Sequence, residues 1–160
     1  AALVERGRWS KPVVTSELNR ILIERRRRIL ERYLTRLSPL TWPEVLTAEG
    51  ASTVCMQDLA VWTGIRPAVT RTYGSRAWAG PRLEPAPVAA PVAGEDASVC
   101  VRLPELASAR RGDPRYLIVD IQSSTPGRDT PGPARLHFWV SDAPRLVGLE
   151  RPEDGEAPSP

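Results

Sequence analysis

The sequence predicts an α+β fold, with an N-terminal helical half, a Pro/Ala-rich linker and a small antiparallel sheet of three or four strands. Three observations support this class. Apolar residues recur at helical spacing near the N-terminus, prolines crowd the middle of the chain, and short alternating apolar runs fill the C-terminal third. The length of 160 residues allows one domain with a hydrophobic core, or a small core with appendages, and excludes two large domains.

The N-terminal half is expected to contain an extended arm and then a helical segment. Residues 1–14 show no apolar period, which predicts the arm. Residues 15–79 are predicted to be mainly helical. The main helix should span residues 16–37, because Thr15 or Ser16 can cap its N-terminus. At 100° per residue its apolar side chains fall within an arc of about 140°, and they comprise Leu22, Ile23, Ile29, Leu30, Tyr33, Leu34 and Leu37.

This helix carries most of the positive charge of the N-terminal part. Residues 1–40 hold ten basic and four acidic residues, whereas the whole chain has a net charge of +3. Arg26 falls inside the apolar arc, so it must extend to the edge of that face or meet a carboxylate from another element or another chain. Nucleic-acid or anionic-surface binding through residues 20–36 is an alternative function, with the contacts made by Arg25, Arg28, Arg32 and Arg36.

The segment after the main helix is less regular. A short helix is predicted at residues 54–63, where Gly64 can end it. Residues 65–79 fit either a further helical turn or an irregular loop. Residues 80–97 are predicted to form a linker with polyproline character, because prolines alternate there with alanine and valine.

Residues 98–150 show the alternating pattern of a small antiparallel β segment. One or two helical turns are predicted at 104–111. Strands are predicted at 98–103, 116–122, 134–140 and 145–149. A sheet of this size needs a covering layer, and the helix at 16–37 is expected to supply it. Residues 151–160 are predicted to form a disordered acidic tail.

The two cysteines, Cys55 and Cys100, lie in apolar stretches on either side of the linker. Two free thiols and one disulfide are both compatible with this number. We favour a disulfide that ties the two halves together, which predicts a periplasmic or extracellular location. Free thiols would instead indicate the cytoplasm.

The sequence lacks the common signatures of catalytic, cofactor and metal sites. It contains no glycine-rich phosphate loop and no nucleophile-elbow motif, and its single histidine and two cysteines are too few for a structural zinc site. His137 alternates with apolar neighbours, so we expect it on the polar face of its strand beside Arg135 and Trp139, as a structural residue. We therefore predict no catalytic residue, no cofactor and no metal, and a protein that is not an enzyme. No apolar run approaches the roughly 20 residues of a membrane span.

The aromatic residues point to a binding role. The chain has five tryptophans but one phenylalanine and three tyrosines. Trp9, Trp42 and Trp78 lie in segments predicted to be irregular, where a tryptophan either anchors its own loop or inserts into a partner. With the arm, the linker and the amphipathic helix, they predict a non-catalytic structural or accessory subunit of a bacterial protein assembly, bound to other protein subunits. A fragment of a larger bacterial exported enzyme is the second alternative.

Overall fold

The elements of the fold follow from a computed structural model that describes residue 6 and residues 12–105, 115–153 and 156–158. The helices are α1 (Pro12–Leu34) and α2 (Leu59–Trp62), with a short 3₁₀ helix at Ala68–Thr70. Helix α1 begins inside the predicted arm of residues 1–14, and Thr15 and Ser16 lie within the helix, so the prediction that one of them caps it is wrong. The strands are β1 (Leu40–Ala48), β2 (Ala51–Asp58), β3 (Thr72–Ala79), β4 (Glu84–Ala86), β5 (Val92–Ala93), β6 (Ser98–Arg102), β7 (Arg115–Ser124), β8 (Ala134–Val140) and β9 (Pro144–Glu150). The predicted α+β class is confirmed.

The strands form two antiparallel sheets that share one core. One sheet has the order β1-β2-β6-β5, and the other has the order β4-β3-β7-β8-β9. A single cluster of buried apolar side chains takes members from both sheets, among them Leu40, Val54, Met56, Val99 and Val101 from the first sheet and Leu117, Val119, Ile121, Leu136 and Phe138 from the second. Each sheet is therefore the covering layer of the other.

The prediction that the main helix covers the sheet is wrong, because α1 does not do so. Its apolar stripe stays largely in solvent, with Ile23 66% exposed and Ile29 57% exposed. The reason lies in residues 40–58, which form strands β1 and β2 instead of belonging to a helical segment. Strand β1 pairs with β2, and β2 pairs with β6 and brings Val54 and Met56 into the core with the C-terminal strands, so the core closes without α1.

The predicted helix at 54–63 is also wrong over most of its length. Val54 and Met56 are buried whereas Cys55 and Gln57 are only half-buried, which is the period of two that a strand produces. Only the four residues of α2 are α-helical. The ambiguous segment at 65–79 contains the 3₁₀ helix and then β3.

The Pro/Ala-rich segment at 80–97 crosses from one sheet to the other. It contributes β4 to the edge of the five-stranded sheet and β5 to the edge of the four-stranded sheet. Edge positions suit proline, because its missing N–H leaves no ladder hydrogen bond unmade on the solvent side.

The C-terminal strands lie where the sequence predicts them, as β6, β7, β8 and β9. The predicted disulfide is also confirmed, since Cys55 and Cys100 are bonded and stand directly opposite each other on β2 and β6. It joins neighbouring strands of one sheet. The helical turns predicted at 104–111 fall mostly outside the described residues.

Candidate partner-binding surface

The exposed face of α1 carries several apolar side chains outside the core. Leu22, Arg26, Ile29 and Tyr33 are spaced at i, i+4, i+7 and i+11 and therefore lie along one line of the helix. Leu22 is 46% exposed, and Tyr33 is 57% exposed. We name these four residues the helix surface. Isolated apolar residues on a protein surface are ordinary, whereas grouped ones are a common feature of contact sites.

Arg26 stands in the middle of the helix surface without a carboxylate partner among the residues that the structure describes. The glutamates of α1 point elsewhere. Glu24 accepts from Arg28 at 2.9 Å, and Glu31 lies 3.7 Å from Arg66. The helix surface therefore combines apolar side chains with one uncompensated positive charge.

The adjacent face of α1 rests on the turn that follows α2. Ile23 and Leu30 line a groove with Ile65 of that turn, and the ion pair between Arg66 and Glu31 closes one side of it. This contact places α1 beside the two sheets. Arg26 also lines this groove, whereas Leu22 and Ile29 of the helix surface lie largely in solvent.

Two exposed tryptophans lie next to each other, one on β1 and one on α2. The rings of Trp42 and Trp62 meet edge to face, with their centroids 5.9 Å apart, and each residue remains 62% exposed. Trp62 belongs to α2, which contacts α1. Trp42 has φ of 49°, at an irregularity of β1 between Thr41 and Glu44. A bulky residue in this left-handed conformation carries backbone strain, which is a feature often found at functional positions.

A buried polar network fixes the backbone that carries Trp62. Asp58 is fully buried and caps α2, with its Oδ1 accepting from the Ala60 amide at 2.8 Å. Its other oxygen accepts from Arg71 and from the Tyr73 hydroxyl, each at 2.8 Å. Burial, followed by the nearby charge of Asp58, raises the pKa of Tyr73 to about 12. Every oxygen of the carboxylate is satisfied, so this network is structural.

The sequence-predicted contact residues are only partly brought together. Four arginines and one tryptophan lie on exposed surface, namely Arg25, Arg28, Arg32, Arg36 and Trp42. Trp78 does not. It belongs to β3 and is 7% exposed, and Trp42 belongs to β1, so the expectation that these two tryptophans lie in irregular segments is wrong. Trp9 lies outside the described residues.

A second polar cluster occupies the outer face of the five-stranded sheet. Arg135 is buried and bound to Asp120 by two hydrogen bonds, of 2.8 and 3.0 Å. The hydrogen bond to Asp120 raises the pKa of Arg135. On the same face His137 Nδ1 lies 2.5 Å from the Tyr116 hydroxyl, and its Nε2 lies 3.1 Å from Glu150. The predicted face for Arg135 and His137 is confirmed.

Sequence reasoning missed Trp62 and the partners of His137. Trp62 lies near the end of the segment predicted to be helical, and the helical pattern placed it only at the edge of the apolar face. Tyr116 and Glu150 reach His137 from neighbouring strands, through a register that local sequence does not contain. The alternation of polar residues with the apolar face of β7 and β8 was the available signal.

A cluster of metal ligands and a membrane-spanning helix are both absent from the part of the chain that the structure describes. Within it, no three or more metal-binding side chains cluster. No helix among the described residues has the length and hydropathy needed to cross a membrane. Comparison of the chain with protein-family models, with curated proteins and with solved structures finds no match.

Proposed function

We propose that this protein is a non-catalytic accessory subunit of a protein assembly and that α1 binds a helical segment of another subunit. The observation that carries the proposal is the exposed helix surface. Helices in proteins are stabilised mainly by the packing of an apolar face. The 23 residues of α1 leave much of that face in water, so a partner supplies the missing packing.

The spacing of the exposed apolar residues favours a helix as the docked element. Leu22, Ile29 and Tyr33 recur at i, i+7 and i+11, as do the residues at the seam between two packed helices. An amphipathic helix laid along α1 fits this spacing.

The charge of the helix surface favours a different chain over a second copy. In a parallel two-fold pair Arg26 would face its own symmetry mate, and in an antiparallel pair centred on the helix surface the two guanidinium groups would lie within about one helical turn. Either arrangement buries like charges without compensation. The partner therefore presents a carboxylate opposite Arg26, within an otherwise apolar stripe.

The exposed Trp42 and Trp62 supply a second anchor beside α1. Tryptophans are enriched among the residues that dominate binding energy, and a pair held by the Asp58 network loses little conformational entropy on binding. The Cys55–Cys100 disulfide supports an oxidising compartment, and we place the protein in the periplasm or outside the cell.

Site-specific photo-crosslinking tests the proposal. A photoreactive amino acid at Ile29 should crosslink to one segment of one protein, and the same group at Val147, which is 56% exposed on β9, is the control. A synthetic peptide of the captured segment should bind the purified chain and lose at least about tenfold in affinity with Arg26→Glu. Charge reversal of the facing carboxylate in the peptide should restore it. Equal crosslinking from Ile29 and Val147 would contradict the proposal.

Binding to an anionic surface is the second candidate, because Arg25 and Arg32 flank the helix surface on α1. Vesicles containing phosphatidylglycerol test it. Salt-sensitive vesicle binding that is lost when Arg25, Arg28, Arg32 and Arg36 are changed to glutamine, together with no protein crosslink at Ile29, would favour this function over the first.

A further inference from the structure

A cleft of about 380 Å³ lies on the outer face of the five-stranded sheet, remote from the helix surface. The strands supply its floor and the turn after β3 supplies one wall. Residues that line it include Pro81, Leu83, Tyr116, Ile118, His137 and Pro158. Its volume is within the range of sites that hold small molecules or short peptide segments.

The C-terminal segment of the chain borders this cleft and supplies part of its wall. Beyond β9 the backbone at Pro152 passes directly over Gly132, where a side chain would collide with the Pro152 carbonyl oxygen. The Glu156 carbonyl then accepts a hydrogen bond from Arg135 Nη2, and Pro158 forms part of the cleft lining. Part of the segment that the sequence predicts to be a disordered tail therefore lies on the sheet in an ordered path.

Arg135 is held in place for this contact before any peptide binds. Its side chain is 8% exposed, Asp120 fixes it through two hydrogen bonds, and its guanidinium carbon lies 5.9 Å from the centre of the Trp78 ring. A charged donor with a fixed orientation binds a main-chain carbonyl at little entropic cost. It recognises the backbone of a peptide irrespective of the side chain.

Tyr116 is held in the same way by its neighbours. In the tautomer of His137 that carries its proton on Nε2, this nitrogen donates to the Glu150 carboxylate and Nδ1 accepts from the Tyr116 hydroxyl. These hydrogen bonds fix the Tyr116 ring as one wall of the cleft that Pro158 also lines. Proline-containing segments bind to aromatic-lined grooves in a similar manner, because their extended conformation is preformed.

The geometry points to a docking site for an extended, proline-containing peptide segment, and we infer that residues 156–158 are its intramolecular occupant. A partner segment of the same chemistry, with a free main-chain carbonyl followed two residues later by proline, displaces the chain's own segment. This site lies on β7, β8 and β9 and not on α1, and it gives the proposed accessory subunit a second contact with a different recognition chemistry.

Peptide binding to a shortened chain tests the inference. The probe is a fluorescein-labelled peptide with the sequence of residues 153–160, and the protein is the chain that ends at Gly155. We expect this chain to bind the peptide at least about tenfold more tightly than the full chain, whose own segment competes at high effective concentration. Tyr116→Ala in the shortened chain should remove binding, whereas Val147→Ala, outside the cleft, should retain it.

A full-length variant covers the case in which shortening impairs folding. Pro158→Asp weakens the intramolecular contact without deleting any residue, and it should also raise the affinity for the labelled peptide. Absence of peptide binding to either folded variant at millimolar concentration would overturn the inference. Unfolding of both variants would overturn it too, because the segment would then be part of the fold and not a displaceable occupant.

Discussion

The two-sheet core and helix α1 carry the same kinds of apolar side chain but bury them to very different extents. Leu136 and Phe138 of β8 are fully buried, whereas Ile29 of α1 is 57% exposed. Burial of apolar area is the main favourable contribution to folding. The comparison therefore separates the residues that stabilise the fold from the residues that remain available to a partner.

Truncation of one large side chain in each region should show the largest contrast. We expect Phe138→Ala to lower the free energy of unfolding by about 3–5 kcal/mol, because it removes buried area and leaves a cavity. Ile29→Ala should lower it by less than about 0.5 kcal/mol, as a surface substitution does. Urea unfolding followed by circular dichroism measures both. Similar losses for the two variants would show that α1 packs into the core.

Removal of the disulfide should lower the stability of the two-sheet core. The double substitution Cys55→Ala and Cys100→Ala removes a cross-link between residues 45 positions apart. We expect a loss of about 2–4 kcal/mol in the free energy of unfolding, since the unfolded chain gains freedom. Reduction of the wild-type protein is the matched control and should give a loss of the same size. A stability that is indifferent to both treatments would argue against the bond in solution.

The pH dependence of the free energy of unfolding should also differ between the two regions, and this effect should be smaller than the two above. Burial and the nearby Asp58 raise the pKa of Tyr73 to about 12, against about 10 in an unfolded chain. The folded state therefore retains a proton that the unfolded state loses, and this contribution to stability is present below about pH 10 and is lost between about pH 10 and 12.

Unfolding free energies measured across this range test the point. Tyr73→Phe should flatten the decline, whereas Tyr33→Phe, on the exposed surface of α1, is the matched control and should keep the wild-type profile. A steep decline that persists in Tyr73→Phe would assign the effect to another group.

Local sequence predicted the elements whose pattern is self-contained. The stripe of Leu22, Ile29 and Tyr33 repeats over several turns, and the alternation in β7 and β8 places Leu117 and Leu136 on one face. Both signals arise within a single element, and the structure has the elements that they predict.

The misassigned elements depend on contacts between distant residues. The alternation over residues 54–57 is short enough to fit a helix or a strand, and β2 becomes a strand through its pairing with β1 and β6. The periodicity of α1 likewise shows which residues share a face but contains nothing about what covers it. The assembly of Tyr116, His137 and Glu150 requires the register of three strands, which no local pattern specifies.

The fold of this protein does not depend on the helix surface of α1. Urea unfolding of the purified Ile29→Asp variant, with the wild-type chain as reference, is the decisive experiment. We expect an unfolding midpoint and a cooperativity close to those of the wild type, because the carboxylate stays in water and lies near Arg26 and Arg25. A loss of several kcal/mol in the free energy of unfolding, as expected for an unpaired charge forced into a core, would contradict it.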